Sequence, residues 1–132
     1  MNKAVIFDLD GTLIDSLGDI HAALNVVLQL RNTPPLALAT VRGLIGKGSA
    51  NLVRRALTVQ NLPIDEASCA SALADFLRLY SADSAKLTTI FDGAIDALDR
   101  LRDGGFRLGV CTNKPLAPTR IVLDKFLSLI HI

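Results

Sequence analysis

The chain has 132 residues, a formal net charge of +1 and a half-hydrophobic composition with few aromatic side chains. The near-neutral charge gives no electrostatic case for nucleic-acid binding, and no basic run or long uncharged apolar stretch indicates a membrane. The Ala, Leu, Val and Ile content favours helices alternating with a buried sheet. Two cysteines without metal-ligand spacing, and a start unlike a signal peptide, lead us to expect a reduced, cytoplasmic protein.

The first predicted element is a strand of four apolar residues from Ala4 to Phe7, a pattern typical of a strand buried on both faces of a parallel sheet. Two carboxylates, Asp8 and Asp10, follow it at i, i+2 spacing, and Gly11 comes next. Successive side chains of an extended chain alternate between faces, so the two aspartates are expected to point the same way. Like charges held together cost free energy unless a cation or a proton relieves them. This stretch is therefore a candidate site.

Residues 15–85 are predicted to form four helices with no strand among them. Asp15 or Ser16 can cap the first helix, and a proline pair ends it. A short helix over residues 38–45 follows, then a helix capped by Ser49 and a longer helix capped by Asp65. The predicted inner face of the longer helix comprises Ala70, Leu73, Ala74, Leu77 and Tyr80.

A second strand is predicted from Phe106 to Cys111, after a helix that opens near residue 92. Parallel strands joined by a crossover end at the same edge of a sheet. We therefore expect Thr112 and Asn113, which follow the second strand, to lie beside the two aspartates that follow the first. A last helix begins at Pro115 to Pro118, and residues 127–132 are expected to form a short strand or an unrelated tail.

These residue types suit chemistry on a phosphate ester. An aspartate such as Asp8 can act as a nucleophile when its charge is balanced. A second carboxylate, Asp10, can protonate a leaving oxygen and then activate water. Mg²⁺ prefers oxygen ligands, and it usually binds one or two carboxylates together with a substrate phosphate. Thr112 and Asn113 offer a hydroxyl and an amide to the same phosphate. The alternative is that the aspartates only end a strand and cap a turn.

The segment Asp8-Leu9-Asp10-Gly11-Thr12-Leu13-Ile14-Asp15-Ser16 resembles the first motif of the haloacid dehalogenase-like hydrolases, and Val110-Cys111-Thr112-Asn113-Lys114-Pro115 resembles the second. The second motif, together with Arg42-Gly43-Leu44-Ile45-Gly46-Lys47-Gly48, is most similar to the phosphoglycolate phosphatase branch. The resemblance implies an α/β fold with a partial Rossmann-like core of parallel strands and flanking helices. Residues 1–14 and 86–132 would form this core, and residues 15–85 would form an α-helical cap inserted between the two motifs.

The resemblance also implies roles for single residues. Asp8 would be the nucleophile that forms an aspartyl phosphate, and Asp10 would be the general acid and base. The Asp8 side chain and the Asp10 backbone carbonyl would hold Mg²⁺, while Thr112 and Asn113 would bind the transferring phosphoryl group. The dehalogenases of the family lack an acidic residue at the place of Asp10. A small phosphorylated metabolite is therefore the expected substrate, with 2-phosphoglycolate as the leading candidate.

Other polar residues give weaker signals. Arg42 and Lys47 can face the site from the cap and help to select the substrate, or they can be ordinary surface residues. Lys114 receives a supporting role at most, because the catalytic lysine of the family belongs to a later motif. His21 and His131 have no partner pattern, and we expect them to be structural or exposed.

The family pattern continues with a third motif that supplies a lysine and a fourth that supplies acidic residues. After Thr112 the only acidic residue is Asp124, and the only lysines are Lys114 and Lys125. We therefore expect a C-terminally truncated chain with weak or absent turnover and an open sheet edge that permits self-association. Two alternatives stay open: a non-catalytic remnant or binding module, and, within the family, a sugar-phosphate phosphatase or phosphomutase.

Overall fold

The computed structural model describes the backbone of residues 3–130 and the side chains of residues 3–126. Within these residues the chain is an α/β protein with six helices and two small sheets. None of these helices is both long enough and apolar enough to cross a membrane. The elements in chain order are β1 (Ala4–Phe7), β2 (Ile14–Asp15), α1 (Leu17–Gln29), α2 (Leu38–Leu44), α3 (Gly48–Val59), α4 (Glu66–Asp83), β3 (Thr89–Ile90), α5 (Ala94–Asp103), β4 (Arg107–Val110) and α6 (Leu116–Ile130).

The main sheet joins β1 and β4 as parallel neighbours, as predicted. Their register pairs Phe7 with Val110, so the two strands end at the same edge. The expectation that β1 is buried on both faces is wrong for the described residues. Phe7 packs against apolar side chains from α5 and α6, whereas Ile6, on the other face, is 63% exposed. A strand is buried on both faces only where both faces of its sheet are covered, and the described residues cover one.

The second sheet is a two-residue antiparallel pairing of β2 with β3, in which Ile14 pairs with Ile90 and Asp15 with Thr89. It corrects the expectation that residues 15–85 begin without a strand. Strands this short give almost no periodic signal in a sequence. Because of this pairing, the two ends of the helical segment lie side by side.

Four helices, α1 to α4, fill the chain between β2 and β3, as predicted. Asp65 caps α4 as expected, since its side chain accepts the backbone N–H of Ser68 at 3.0 Å. Ser49 does not cap α3, which begins at Gly48 with Lys47 in the capping position. Gly48 has a φ of +81°, which residues with a Cβ rarely adopt, so the turn runs directly into the helix.

The buried stripe of α4 differs from the predicted one. Ala72, Phe76 and Tyr80 are buried at i, i+4 spacing, whereas Ala70 and Ala74 are exposed. The two aromatic rings remove far more apolar area from water than alanines would, and this decides which face turns inward. The predicted residues that do pack against the core are Leu73, Leu77 and Tyr80.

The last helix, α6, includes residues 127–130, so the expectation of a short strand is wrong there. Residues 131 and 132, including His131, lie outside the described part of the chain. The other histidine has a structural contact: His21 Nε2 lies 2.8 Å from the backbone oxygen of Leu36.

Buried apolar side chains form two clusters. One lies among α1 to α4 and includes Leu24, Val41 and Phe76. The other includes Leu98 and Val122 and collects side chains from the loop after β1 and from α5 and α6. On this basis we propose that residues 15–85 form a helical cap and that residues 1–14 and 86–132 form a partial Rossmann-like core.

Candidate active site

A cavity opens where β1 and β4 end, and its polar lining comes from three separate segments. Asp8 and Asp10 follow β1, Asn113 and Lys114 follow β4, and Tyr80 projects from α4. The prediction that Asn113 lies beside the two aspartates is therefore correct. The remaining wall of the cavity is largely apolar and is formed by Ile20, Ile45, Leu52 and Phe76.

The backbone explains why these loops meet. Cys111 donates its N–H to the carbonyl of Phe7 at 2.8 Å, which extends the parallel pairing to the point where both strands end. The chain then turns tightly after β1, because the Leu9 carbonyl accepts from several following backbone N–H groups. Gly11 makes this turn possible with a φ of +78°, a conformation that is costly for residues with a Cβ. The carboxylates are thereby held at the strand ends.

The two aspartates have different surroundings. Asp8 is exposed, and its Oδ1 accepts the backbone N–H of Leu9 at 2.7 Å. Asp10 is half-buried, and its Oδ1 accepts from Ser16 Oγ at 2.6 Å and from Lys114 Nζ at 3.0 Å. Within residues 3–126, no donor contacts Oδ2 of either residue. Each aspartate therefore keeps one carboxylate oxygen available.

Lys114 is the cation of this site. Its side chain is only 1% exposed, and its ammonium group contacts Asp10 and the hydroxyl of Tyr80. Nζ also lies 4.4 Å from the centroid of the Tyr80 ring, which stacks on Phe76 at 5.3 Å. Burial lowers the pKa of Lys114, and the charge of Asp10 opposes this shift. Burial, together with the charges of Asp10 and Asp19, raises the pKa of Tyr80.

Sequence reasoning missed Ser16 and Tyr80 as partners in the site. The sequence predicts Ser16 only as a possible helix cap and Tyr80 only as a core residue. The Tyr80 contact leaves no local signal, because it depends on how helix α4 packs on the strand ends, whereas Ser16 lies six residues after Asp10 in the same motif. Lys114 had one available signal, its place two residues after Thr112.

The remaining candidates, Thr112, Arg42 and Lys47, do not line the cavity. Thr112 is half-buried, and its Oγ1 accepts the backbone N–H of Lys114 at 3.1 Å. Arg42 is exposed and lines a neighbouring cavity that also reaches Asp10. Lys47 is exposed as well, between two glycines that line the main cavity. The structure therefore brings the cap candidates near the site, but it gives neither of them a described contact with the aspartates.

The oxygen donors of the site suit a hard cation. The Asp8 carboxylate has an uncontacted oxygen, and within residues 3–126 the backbone carbonyl of Asp10 accepts no hydrogen bond. Mg²⁺ commonly binds one or two carboxylates and takes its other ligands from water and substrate phosphate. Among the described residues, no group of three or more His, Cys, Asp or Glu could hold a metal ion. The donor set thus fits Mg²⁺ with few protein ligands rather than a closed protein cage.

Comparisons with known proteins agree on one family. Residues 5–132 match a family model described as haloacid dehalogenase-like hydrolase. A phosphoglycolate phosphatase of Cereibacter sphaeroides is 42% identical over 122 residues, which are 92% of this chain and 56% of that protein. Phosphoglycolate phosphatase 1 of Pseudomonas aeruginosa is 42% identical over 125 residues, which are 93% of this chain and 46% of that protein. The chain therefore spans about half the length of these curated relatives.

A solved structure shows the same fold. A crystal structure described as a predicted phosphoglycolate phosphatase from Haemophilus somnus matches with a TM-score of 0.82 and 28% sequence identity. The match covers 98% of this chain and 59% of that one. It confirms the predicted fold class.

Proposed function

Because the chain belongs to the haloacid dehalogenase-like hydrolases, we propose that it carries the site of a Mg²⁺-dependent phosphatase that acts on a small phosphorylated metabolite. The observation that carries this proposal is the meeting of Asp8, Asp10 and Asn113 in one cavity at the ends of two parallel strands. The names of the most similar relatives make 2-phosphoglycolate the leading candidate substrate.

The proposed reaction begins with Asp8. Its uncontacted carboxylate oxygen attacks phosphorus, the ester P–O bond breaks, and Asp8 becomes an aspartyl phosphate. Asp10 donates a proton to the leaving oxygen. In the second step Asp10 takes a proton from water, which attacks phosphorus, releases inorganic phosphate and restores the Asp8 carboxylate.

The rest of the site balances charge. A phosphate ester brings negative charge toward two carboxylates, and Lys114 is the buried cation paired with one of them, Asp10. Mg²⁺, held by the Asp8 side chain and the Asp10 carbonyl, would neutralise and polarise the phosphoryl oxygens. Thr112 and Asn113 would donate to the same oxygens.

Substrate selection belongs to the helical segment in this proposal. The cavity wall formed by Ile20, Ile45 and Phe76 limits the organic part of the substrate to a small group. Arg42 and Lys47 stay predicted selection residues, although neither lines this cavity. The cytoplasmic location and self-association at the open edge of β1 also stay predictions.

The test is release of inorganic phosphate from 2-phosphoglycolate by the purified 132-residue chain, with and without Mg²⁺. Asp8→Asn is the control, because it removes the nucleophilic oxygen while keeping the shape of the side chain. We expect release that requires Mg²⁺ and is abolished by this change, at a low rate if further charge-stabilising groups are needed. Equal inertness of both proteins toward 2-phosphoglycolate and toward a sugar phosphate would favour the non-catalytic alternative for these 132 residues.

A further inference from the structure

We propose that Lys114 is a positioning residue for Asp10, and that Tyr80 links the position of helix α4 to Asp10 through Lys114. The inference rests on the proposed function, since it concerns the group that would move protons in that reaction. It assigns Lys114 more than the supporting role that its sequence context indicates.

The first observation is how Asp10 is held. Two donors, Ser16 Oγ at 2.6 Å and Lys114 Nζ at 3.0 Å, contact the same carboxylate oxygen, Oδ1. Two hydrogen bonds to one oxygen fix the plane of a carboxylate, and they leave Oδ2 for proton transfer. Asp8 has no such restraint from side chains, because its described donor is the backbone N–H of Leu9.

The second observation is that several contacts hold the ammonium group of Lys114 in one position. A buried ammonium group is strongly destabilising unless it is paired, and this one is buried with a single carboxylate partner, Asp10. Tyr80 supplies the remaining contacts, since its hydroxyl meets Nζ and the face of its ring lies 4.4 Å away. A charge so enclosed has few alternative positions, which suits a residue that orients another.

The third observation concerns connectivity. Lys114 lies 104 positions from Asp10 and 34 from Tyr80, so the network joins the loop after β1, the loop after β4 and helix α4. Tyr80 is fixed in α4 by its stacking on Phe76. A shift of α4 away from the strand ends would withdraw the tyrosine and release Lys114. Packing of α4 on the site therefore supports the orientation of Asp10 through Lys114, beside the separate hydrogen bond from Ser16.

The chain offers a direct probe, because Tyr80 is its one tyrosine and it contains no tryptophan. Tyrosine emission depends on the charged and polar groups around the phenol, so emission from the whole chain reports on this network. We would measure it for the parent, Asp10→Asn, Lys114→Met and the double variant. Lys3→Met is the matched control, since Lys3 is exposed at the far end of β1.

We expect Asp10→Asn to change the intensity of Tyr80 emission in the parent and in the Lys3→Met background, and this change to be lost in the Lys114→Met background. Lys114→Arg should restore part of it. No change of intensity in the parent, or an equal change with and without Lys114, would overturn the proposal. Circular dichroism checks that each variant folds, and Lys114→Gln replaces Lys114→Met if the latter does not.

Turnover supplies the second readout. With 2-phosphoglycolate, Lys114→Met should lower kcat by about 10- to 100-fold, as loss of an orienting partner does, and Lys114→Arg should recover part of the loss. KM should change by less than about threefold, because the substrate is not the partner of Lys114. A raised KM with unchanged kcat would overturn the positioning role. Absence of turnover in the parent would contradict the proposed function, while the emission experiment would still decide on Lys114.

Discussion

Asp19 accepts the backbone N–H of Leu87 with both carboxylate oxygens, each at 3.0 Å, across 68 positions of the chain. Thr88 Oγ1 donates to the same carboxylate at 2.6 Å. Asp19 lies in the first turn of α1, and Leu87 lies just before β3. This buried contact therefore fastens the start of the helical segment to its end.

The first prediction follows from this contact. Asp19→Asn replaces one acceptor oxygen by an NH₂ group, which faces donors instead of accepting from them. We expect the free energy of unfolding to fall by about 1–3 kcal/mol, the usual cost of leaving a buried polar group unsatisfied. Urea denaturation measures the loss. Asp83→Asn, at an exposed position near the end of α4, is the matched control and should change stability far less.

The second prediction concerns alkaline pH. An unfolded tyrosine ionises near pH 10, whereas burial, with the charges of Asp10 and Asp19, raises the pKa of Tyr80 in the fold. Above pH 10 the unfolded state releases a proton that the folded state keeps, so the free energy of unfolding falls as pH rises. Burial lowers the pKa of Lys114 from its ordinary value of 10.5. Below pH 10.5 the unfolded state therefore keeps a proton that the folded lysine releases, and this contribution makes the free energy of unfolding rise with pH.

Comparing the parent with Tyr80→Phe isolates the tyrosine contribution, since both keep Lys114. Phenolate absorbance of the single tyrosine should appear well above pH 10 and together with loss of helical circular dichroism. For Tyr80→Phe, the free energy of unfolding should fall less steeply as the pH rises above 10. Ionisation near pH 10 without unfolding would show that Tyr80 is accessible to solvent in the folded chain.

The sequence predicts much of the core of this site because its signals are local. Four apolar residues before Asp8, and a second apolar run before Thr112, are enough to predict two parallel strands. A parallel sheet then requires their ends to meet. The positions of the aspartates and of Asn113 follow from chain geometry alone, without knowledge of any side-chain contact.

Most of the contacts that sequence reasoning missed are long-range; the exception joins Ser16 to Asp10, six positions apart. Lys114 reaches Tyr80 because helix α4 turns Phe76 and Tyr80 inward; the predicted stripe includes Tyr80 but places Ala70 and Ala74, rather than Phe76, on the inner face. The helix period tolerates either choice, and only the burial of large aromatic area distinguishes them. Similarly, the pairing of β2 with β3 involves two residues on each side, too few for a periodic pattern.

The third prediction compares two glycines, one with a positive φ and one in a helix. Gly11 has a φ of +78° and open space around the missing Cβ, so Gly11→Ala should cost about 1 kcal/mol from backbone strain alone. Gly43 lies within α2, also with open space and without a positive φ. Gly43→Ala should instead stabilise by about 0.5–1 kcal/mol through helix propensity. Thermal unfolding of both variants tests the pair, and a loss at Gly43 would contradict the helical backbone described for α2.

The last prediction tests the metal without relying on turnover. A ligand that binds only the folded state stabilises it by about 2.7 kcal/mol at a hundredfold excess over its Kd. Mg²⁺ added to chelator-treated protein should therefore raise Tm, and Asp8→Asn should abolish the rise because it removes a charged ligand from the proposed site. Asp96→Asn is the matched control, since Asp96 is an exposed aspartate in the first turn of α5, and it should keep the full rise. An equal rise in all three proteins would place the bound Mg²⁺ elsewhere on the chain. A rise lost only in Asp8→Asn would link the cation to the carboxylate that is proposed to attack phosphorus, even if the chain turned over no substrate.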